Sequence, residues 1–461
     1  MSNYHGPRPS LSLNRRTLLK AGAATMLSGA LVGIGGRPLW AADVFDQMKP
    51  QWDAAGIDWM QEKGKKLVIS GVLHPWTNAL GPLIPHFTRL TGIEVEVQTQ
   101  AETEYAAQLP VKLGAGSSTP DVYMVWAVGQ AIQAGWLEPL DDMMSDKNLI
   151  NASWWEGEDF FSSARQLQTW SDGKQYLMPI TAETQILFMN KPMMAERGLS
   201  SPKTMDELLT VAKALKTDDV AGIAMRAKPT GDSAWAVGGF IFSYGGMIIG
   251  TDGTSGFDKP ETIAGVEMYA RILREAGPAG ISNYQWSECL NDFMSGASAM
   301  GCDSSVFATE IANPEKSQVA GNALYSMMPP AGNLPVKPCM WHWMTGINSK
   351  SENKKAAFLF MQWINSKPTT LLMGTDGFPT ARASTWASEA FRTRIGEEAA
   401  TAALASLKAG DGALFKATWL HPKGPQILDA LAVAVNETAT GAADAQAAMK
   451  KASLAVNKIL A

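Results

Sequence analysis

The segment at residues 176–191 has the sequence Tyr-Leu-Met-Pro-Ile-Thr-Ala-Glu-Thr-Gln-Ile-Leu-Phe-Met-Asn-Lys, and the predicted fold is organised around it. Its apolar run, Ile186 to Met189, predicts a buried strand, with a proline before it and an asparagine after it as boundaries. A helix is predicted from residue 204, because Thr-Met-Asp-Glu at 204–207 has the pattern of a capping box. The chain therefore passes from an extended segment into a helical layer, and it places one carboxylate, Glu183, at the crossing.

Length and composition predict two lobes and a folded, globular protein. The chain has 461 residues, more than one ordinary hydrophobic core accommodates. Its hydrophobic content of 46% and charged content of 18% are typical of globular proteins and not of disordered chains. The 16 tryptophans outnumber the 15 phenylalanines and the 8 tyrosines. Because tryptophan combines a flat apolar surface with one N–H donor, this excess favours recognition of ligands that have both polar and apolar faces.

The N-terminal sequence predicts a twin-arginine signal peptide over residues 1–42. Arg15 and Arg16 precede an apolar run rich in glycine and alanine at 21–36, which is too short and too glycine-rich to span a membrane well. We expect cleavage after Ala41 or Ala42 and a periplasmic location. Removal of the five basic residues of this segment leaves 39 − 5 = 34 basic against 44 acidic residues, so the net charge changes from −5 to −10. An acidic surface argues against nucleic acid or an anionic membrane as the main partner.

Two further segments near the N-terminus have predicted roles. Residues 43–65 are predicted as an N-terminal extension, a helix with Trp52, Ala55 and Trp59 on one face that packs on the body; a partner-docking helix is the alternative. A buried strand at 67–70 follows, and its loop carries His74 and Trp76. Ligands of open parallel sheets bind beyond the carboxyl ends of the strands, so this loop should face a cleft.

Several segments, in order along the chain from Lys66 onward, resemble the sugar-type extracellular solute-binding proteins of bacterial ABC importers. The segment at 176–191 is similar to the first hinge of that family. The resemblance implies an α/β, two-lobed periplasmic binding protein fold, in which each lobe is a mainly parallel sheet flanked by helices and hinge crossings join the lobes. It also implies that residues 66–180 plus 297–372 form lobe 1, and that residues 181–296 plus 373–461 form lobe 2.

The same resemblance implies positions for ligand contacts. Glu183 stands where the family has a ligand-binding glutamate, Trp126 where it has a cleft tryptophan, and Trp235 where it has a sugar-stacking aromatic. Asp303 lies near the second crossing, and Arg382 ends a Gly-x-Pro-Thr turn at the third crossing. At 129–130 the chain has Gly-Gln where the maltose-binding member has Asp and Arg, which argues against a maltodextrin ligand.

The segment at 337–348 is the second informative stretch. Strand alternation puts Trp341 and Trp343 on one face and His342 on the other, and many relatives carry a ligand-facing tryptophan at the Trp343 position. The alternatives are a hydrophobic core role for the tryptophans, a solvated loop position for Glu183, a helix cap for Asp303 and a surface position for Arg382. The complete set of predicted ligand-binding residues is His74, Trp76, Trp126, Glu183, Trp235, Asp303, Trp341, Trp343 and Arg382.

We therefore predict a monomeric, non-enzymatic periplasmic binding protein. It is expected to capture a small carbohydrate, polyol or sugar derivative in an interlobe cleft and to deliver it to the permease of an ABC importer; a sugar acid or a sulfonated or phosphorylated sugar would use Arg382. The alternatives are a secreted carbohydrate-active hydrolase, with Glu183 and Asp303 as its two carboxylates, and a ligand-sensing partner of a chemoreceptor. We expect no cofactor and no metal, since the histidines are scattered. Cys289 and Cys302 are the only cysteine pair to test for a disulfide.

Overall fold

The computed structural model describes residues 39–461, so the predicted twin-arginine motif lies outside the described residues. The chain divides into a unit at residues 1–47 and a unit at residues 48–461, and the sheets and the site described below belong to the second unit. Among the described helices, none combines the length and the apolar character that a membrane crossing needs.

Nine strands of the described region form two sheets. The strands are β1 (Lys66–Val72), β2 (Glu94–Gln100), β3 (Val122–Met124), β4 (Met178–Pro179), β5 (Glu183–Asn190), β6 (Met300–Ser304), β7 (Ala323–Met327), β8 (Met340–Trp341) and β9 (Met344–Ile347). The first sheet has the order β2-β1-β3-β9-β4. The second sheet has the order β6-β5-β7, and β8 also pairs with β5.

Helices surround both sheets. They are α1 (Leu39–Asp53), α2 (Pro75–Leu80), α3 (Ile84–Thr91), α4 (Glu102–Gly114), α5 (Val128–Gln133), α6 (Asp141–Ser145), α7 (Ala152–Trp155), α8 (Ser162–Gln168), α9 (Lys191–Glu196), α10 (Met205–Leu215), α11 (Ala234–Ser243), α12 (Pro260–Ala276), α13 (Trp286–Ser295), α14 (Ala308–Ile311), α15 (Lys354–Asn365), α16 (Lys367–Thr375), α17 (Ala383–Ala387), α18 (Glu389–Ile395), α19 (Glu397–Ala409), α20 (Gly412–Trp419), α21 (Gly424–Ala439) and α22 (Ala445–Leu460). The mixture of sheets and helices confirms the predicted α/β class.

The first sheet is built around β1. This strand pairs in parallel with β2 and β3, and its apolar residues are buried except for the half-buried Val68, as expected for a strand covered on both faces. Exposed and half-buried residues alternate over most of β2, because it is an edge strand with one solvated face. The carboxyl ends of the parallel strands β1 and β2 therefore lie side by side, and the segments that follow them begin at the same edge.

The second sheet is built around β5, the strand of the segment at 176–191. All eight of its residues are buried, which explains the apolar run Ile186–Met189. Its pairings with β6, β7 and β8 are antiparallel, so a mainly parallel sheet does not describe this lobe; parallel contacts occur as isolated bridges, Ala221 with Ser298 and Ala224 with Gly301. Strand β6, which carries Asp303, was expected to return into lobe 1, and it pairs here with β5. The complete lobe boundaries stay a prediction.

The chain crosses between the sheets at neighbouring places. Thr181 forms an isolated antiparallel bridge with Thr380, so the first crossing and the predicted third crossing lie side by side. The N–H of Ile180 donates to the carbonyl oxygen of Trp343 over 2.8 Å. Gly377, which opens the Gly-x-Pro-Thr turn, has φ 85°, a left-handed conformation that glycine adopts without steric cost. These backbone contacts hold together the segments that lead from one sheet to the other.

The segment after residue 48 packs on the body as predicted, but helix α1 ends at Asp53, so Ala55 and Trp59 lie in the turns that follow it and not on a helix face. Trp52, Ala55 and Trp59 are buried, and the indole N–H of Trp52 donates to Thr369 Oγ1 over 3.0 Å. The Trp52 ring also lies 5.8 Å from the Trp363 ring, centroid to centroid. Because these contacts join the N-terminal segment to helices α15 and α16, it is part of the folded body.

The capping prediction is confirmed in part. The Thr204 side chain accepts a hydrogen bond from the N–H of Glu207, as in a capping box, whereas the Glu207 carboxylate accepts the N–H of Lys203 instead of Thr204. The three cysteines of the described region are buried and free, so Cys289 and Cys302 do not form a disulfide here.

Candidate functional site

A cavity of about 60 Å³ lies where the segments after β1 and β2 face the helices that follow the first crossing. Its aromatic lining consists of Trp126, Trp235, Trp286, Phe307, Trp341, Trp343 and Trp419. Its charged and polar lining consists of His74, Glu102, Glu183, Arg226, Asp232 and Ser304. Six indoles beside three carboxylates, one guanidinium and one imidazole make a site that offers both flat apolar surfaces and hydrogen-bonding groups.

Six of the nine predicted ligand-binding residues line this cavity: His74, Trp126, Glu183, Trp235, Trp341 and Trp343. They come from separate parts of the chain, which only the tertiary structure brings together. Trp341 and Trp343 share the cavity face with ring centroids 5.3 Å apart, and His342 points away from it, as strand alternation predicted.

Trp76 is the first of the three predicted residues that lie outside the cavity lining. It sits in the first turn of α2, two residues after the helix cap His74, and its side chain is fully buried in the hydrophobic core. The loop argument located the right loop, since His74 lines the cavity. It did not tell which of the two ring-bearing side chains faces the ligand side, because a helix begins between them.

Asp303 is the second, and it lies behind the cavity wall. Its side chain is 0% exposed, and both oxygens accept hydrogen bonds from Arg226, Oδ2 from Nε over 2.8 Å and Oδ1 from one terminal nitrogen over 2.5 Å. Burial on its own would lower the pKa of Arg226, but the Asp303 carboxylate outweighs it and raises that pKa. Asp303 therefore orients and neutralises Arg226, which does line the cavity.

Arg382 is the third, and it is a structural residue at 0% exposure. Its guanidinium donates to the carbonyl oxygens of Asn365, Glu156 and Trp155 and pairs with Asp159. Burial lowers the pKa of Arg382 to about 10, so the group stays charged at neutral pH. Its charge is used inside the protein, and the expectation that it lies near the cleft is wrong.

Glu183 is held ionised by a ring of donors. His74 Nδ1 accepts the backbone N–H of Trp76, so the imidazole proton is on Nε2, 3.2 Å from Glu183 Oε1. Thr181 Oγ1 and Ser304 Oγ also donate to the carboxylate, over 3.0 Å and 2.7 Å. Burial alone would raise the pKa of Glu183, but the His74 imidazole and these hydroxyl groups outweigh it and lower that pKa. The buried carboxylate is therefore an acceptor at neutral pH.

The other two carboxyl groups of the cavity, Glu102 and Asp232, have raised pKa values. Burial and the nearby Asp232 carboxylate raise the pKa of Glu102 to about 8, although Arg226 and the indole N–H of Trp286, 3.0 Å from Oε2, act against the shift. Burial also raises the pKa of Asp232, and the neighbouring Thr230 hydroxyl and Arg226 offset only part of that effect. Because two neighbouring carboxylates repel, this pair favours holding a proton.

Two polar atoms of the cavity lining have no partner among the described residues. They are Asp232 Oδ2, an acceptor, and Trp341 Nε1, a donor, and both atoms are buried. A buried polar group without a hydrogen bond is costly, so most such groups in native proteins have a partner. Because both residues line the cavity, a ligand that reached these two atoms would have to donate to one and accept from the other.

The aromatic groups of the lining are held in place by their own contacts. The indole N–H of Trp235 donates to the carbonyl oxygen of Met340 over 3.0 Å, and the Arg226 guanidinium lies 5.1 Å from the centre of the Trp235 ring. Trp286 stacks on Phe307 with a centroid distance of 5.6 Å. Fixed rings of this kind present preformed surfaces and lose little conformational freedom when a ligand binds.

Sequence reasoning did not find Glu102, Arg226, Asp232, Trp286 and Trp419. Glu102 was within reach, because it follows the carboxyl end of β2 as His74 follows that of β1. Asp232 lies three residues before Trp235, in a short turn at Gly231–Ser233. Arg226 and the two tryptophans come from helical and irregular segments whose position depends on the packing of the second lobe, and the only sequence signal for them was the excess of tryptophan.

Comparison with known sequences gives two matches of broad coverage. The family model described as bacterial extracellular solute-binding protein matches residues 71–370, which is 300 of the 461 residues. The chain is also similar to the erythritol/L-threitol-binding protein of Mycolicibacterium smegmatis, with 28% identity over 397 residues, which cover 80% of this chain and 80% of that protein.

Comparison with solved structures gives the same fold. An ABC transporter solute-binding protein of Agrobacterium radiobacter in complex with ribitol superposes with a TM-score of 0.78 at 23% identity, covering 86% of this chain and 99% of that one. A solute-binding protein of Agrobacterium vitis with bound D-mannitol superposes with a TM-score of 0.76 at 24% identity, covering 86% and 98%. At these identities the likeness establishes the two-lobed fold.

Proposed function

Because the chain belongs to the bacterial extracellular solute-binding protein family, we propose that it is the binding component of an ABC importer for a small acyclic polyol. The observation that carries the ligand class is the composition of the cavity lining, in which six tryptophans lie beside the carboxyl groups of Glu102, Glu183 and Asp232. A hydroxyl group donates to a carboxylate, and an apolar carbon chain packs on an indole face. A polyol combines a chain of hydroxyl groups with an apolar carbon backbone, so it can bind to the carboxyl groups and pack on the tryptophans at the same time.

The size of the cavity supports a short ligand. The free space between the tryptophans is small, about 60 Å³, which favours a compact ligand such as a tetritol, pentitol or hexitol over an oligosaccharide. Three of the relatives have ligands of this class, namely erythritol or L-threitol, ribitol and D-mannitol, although maltose is the ligand of another protein of the same fold.

The charges of the cavity support an uncharged ligand over a sugar acid or a phosphorylated sugar. Arg382, the cation expected to bind such a group, is committed to carbonyl oxygens and to Asp159. The lining presents the carboxyl groups of Glu102, Glu183 and Asp232. Carboxylates accept hydrogen bonds from hydroxyl groups, and Glu183 in particular is ionised and oriented for that role.

A calorimetric and thermal-shift screen tests this function. Erythritol, L-threitol, ribitol, D-mannitol, D-tagatose and maltose are each added to the purified mature protein. A ligand that binds only the native state at 100 times its dissociation constant adds about 2.7 kcal/mol to the free energy of unfolding, which is easily detected. We expect at least one polyol to bind more tightly than maltose. If none of the polyols stabilises the protein, this function is excluded.

Closure of the two lobes around the ligand, delivery to an inner-membrane permease and export by the twin-arginine pathway are parts of the same proposal. A ligand shifts an open–closed equilibrium only by its better contacts in the closed state. Small-angle scattering should therefore give a smaller radius of gyration with the bound polyol than without it. Export is tested by replacing both arginines with lysine, Arg15→Lys and Arg16→Lys, after which the protein should remain in the cytoplasm.

The hydrolase alternative is poorly supported by the geometry. Its two expected carboxylates were Glu183 and Asp303, but both oxygens of Asp303 are bound to Arg226 and the residue does not line the cavity. We therefore expect the bound polyol to be recovered unchanged after prolonged incubation, as measured by NMR. Turnover above that of a Glu183→Ala control would favour the enzyme.

A further inference from the structure

The carboxyl groups of Glu102 and Asp232 meet across the cavity from two parts of the fold. Glu102 opens helix α4, directly after strand β2 of the first sheet. Asp232 lies in the turn Gly231–Ser233, before helix α11, in the range predicted as lobe 2. Both residues line the cavity. The segments beside them also touch, because Gln285 Nε2 donates to Thr103 Oγ1 over 2.8 Å and Trp286 Nε1 donates to Glu102 Oε2 over 3.0 Å.

This pair lacks a cation of its own. Arg226, the guanidinium of the lining, donates through Nε and one terminal nitrogen to Asp303 and through the other to the backbone oxygen of Asp232. His74 is committed to Glu183. Asp232 is 9% exposed, and its Oδ2 has no partner among the described residues. Arg226 is near enough to lower the pKa of both carboxyl groups, but its side-chain ion pair is with Asp303, so in the described part of the chain neither Glu102 nor Asp232 has a direct ion pair of the kind that Asp303 has.

We propose that Glu102 and Asp232 are specificity-determining residues that select ligands by charge, rejecting an anionic sugar derivative and admitting an uncharged or ammonium-bearing polyol. This inference rests on the proposed function, since it concerns the ligand of the same cavity. A carboxylate on the ligand would approach two carboxyl groups in a water-poor site, and like charges brought together at an interface are strongly disfavoured. A hydroxyl group donates to the pair, and an ammonium group neutralises it.

The test uses four probes of the same length. They are erythritol, erythronate, the uncharged amide erythronamide and 1-amino-1-deoxyerythritol; the corresponding set of ribitol derivatives is used if ribitol binds more tightly. Dissociation constants are measured by calorimetry at pH 9.0, above the pKa of about 8 that burial gives Glu102, so that both carboxyl groups are ionised. We expect erythronate to bind at least about a hundredfold more weakly than erythronamide, which has nearly the same shape. The ammonium probe should bind at least as tightly as erythritol.

Two variants assign the effect to the pair. In Glu102→Gln and in Asp232→Asn the ratio of the erythronate to the erythronamide dissociation constant should fall tenfold or more, because one of the two repelling groups is now neutral. The ratio is taken within each variant, so an overall loss of affinity does not affect it. Glu104→Gln is the matched control: Glu104 lies on the same helix but is exposed and outside the lining, and the ratio should stay at the wild-type value.

The outcomes separate this inference from the proposed function. If erythritol and ribitol do not bind, the function itself is wrong. If they bind and the acid binds as well as the amide, the polyol function stands and the charge selection is wrong. The inference is equally wrong if the acid is rejected but the ratio is unchanged in both variants, since the rejection would then come from other residues.

Discussion

Two buried arginines of this protein have similar surroundings and different consequences. Arg226 and Arg382 are each less than a tenth exposed, and each lies over an aromatic ring, at 5.1 Å from the Trp235 centroid and 4.0 Å from the Phe160 centroid. Each also pairs with an aspartate, Asp303 in one case and Asp159 in the other. Neither residue type nor burial tells them apart.

The difference lies in whether the neighbouring groups are satisfied. Around Arg382, three carbonyl oxygens accept from the guanidinium, and Asp159 accepts from Ser384 as well. Around Arg226, the nearby Asp232 leaves one buried oxygen open. A complete network fixes the fold, whereas an incomplete network beside a cavity leaves hydrogen bonds for a ligand. The two clusters therefore differ in how many of their hydrogen bonds are made and not in their charge, and the incomplete one belongs to the candidate binding site.

The largest expected effect comes from breaking the complete network. Arg382→Met should destabilise the protein by about 3–5 kcal/mol, because it leaves a partly buried Asp159 and three carbonyl oxygens without their donor. The affinity of the folded fraction for its polyol should stay within about threefold of wild type. Urea unfolding and calorimetry give the two quantities. Arg197→Met, at an exposed arginine, is the control. The structural assignment of Arg382 is wrong if Arg197→Met loses as much stability as Arg382→Met, or if Arg382→Met loses affinity and no stability.

The next effect concerns the aromatic wall of the incomplete cluster. Trp343→Ala should weaken polyol binding by about thirtyfold, since loss of an aromatic anchor typically costs about 2 kcal/mol. Its side chain is buried as well, so folding stability also falls and the affinity is measured well below the melting temperature. Trp363→Ala is the control, because Trp363 is buried against Phe87 and away from the cavity. Trp363→Ala should lower the free energy of unfolding and leave the affinity unchanged. Unchanged affinity in Trp343→Ala would instead assign Trp343 to the hydrophobic core.

A smaller effect isolates one open donor. Trp341→Phe removes the Nε1 donor and keeps an aromatic ring, so affinity should fall by about five- to tenfold while the free energy of unfolding changes little. Trp59→Phe is the matched variant at a satisfied donor, because the indole N–H of Trp59 already donates to the carbonyl oxygen of Trp52 over 3.0 Å. It should lose about 1 kcal/mol of stability and no affinity. The same result in both variants would remove the distinction between open and satisfied donors.

The smallest effect is a pH dependence of ligand-free stability. Glu102 faces Asp232, Arg226 and Glu183, and its pKa is about 8 in the folded protein against 4.5 as the ordinary value. Between these values the folded state holds a proton that the unfolded chain has released, so the contribution of Glu102 to stability falls as the pH rises from about 5 to about 8. Glu102→Gln lacks this loss.

The measurement compares melting temperatures. The melting temperature of Glu102→Gln minus that of wild type should increase between pH 5 and pH 8, by on the order of 2 °C, and then level off. Glu104→Gln, on the exposed side of the same helix, should give a difference that does not change over this range. A constant difference for Glu102→Gln would show that Glu102 titrates like a solvated carboxylate.

Local sequence determined much of the fold. The apolar run Ile186–Met189 predicted the central strand of the second sheet, and the capping pattern at 204–207 predicted the start of the helix Met205–Leu215. Both signals depend on neighbours in the chain, namely on runs of apolar residues and on capping side chains. Strand direction was less accessible, because antiparallel pairing of β5 depends on which distant segment returns beside it.

The same distinction between local sequence signals and long-range contacts applies to the candidate site. Sequence alone determined which residue types the cavity would use, since the excess of tryptophan, the alternation at 341–343 and the loop after β1 all hold within short segments. Only the tertiary structure decided which charges face the ligand. Asp303 and Arg382 each pair with another charged residue inside the protein, whereas Glu102 and Asp232 line the cavity. The partner of a buried charge comes from a part of the chain tens to hundreds of residues away, as Arg226 does for Asp303, so the local sequence does not reveal it.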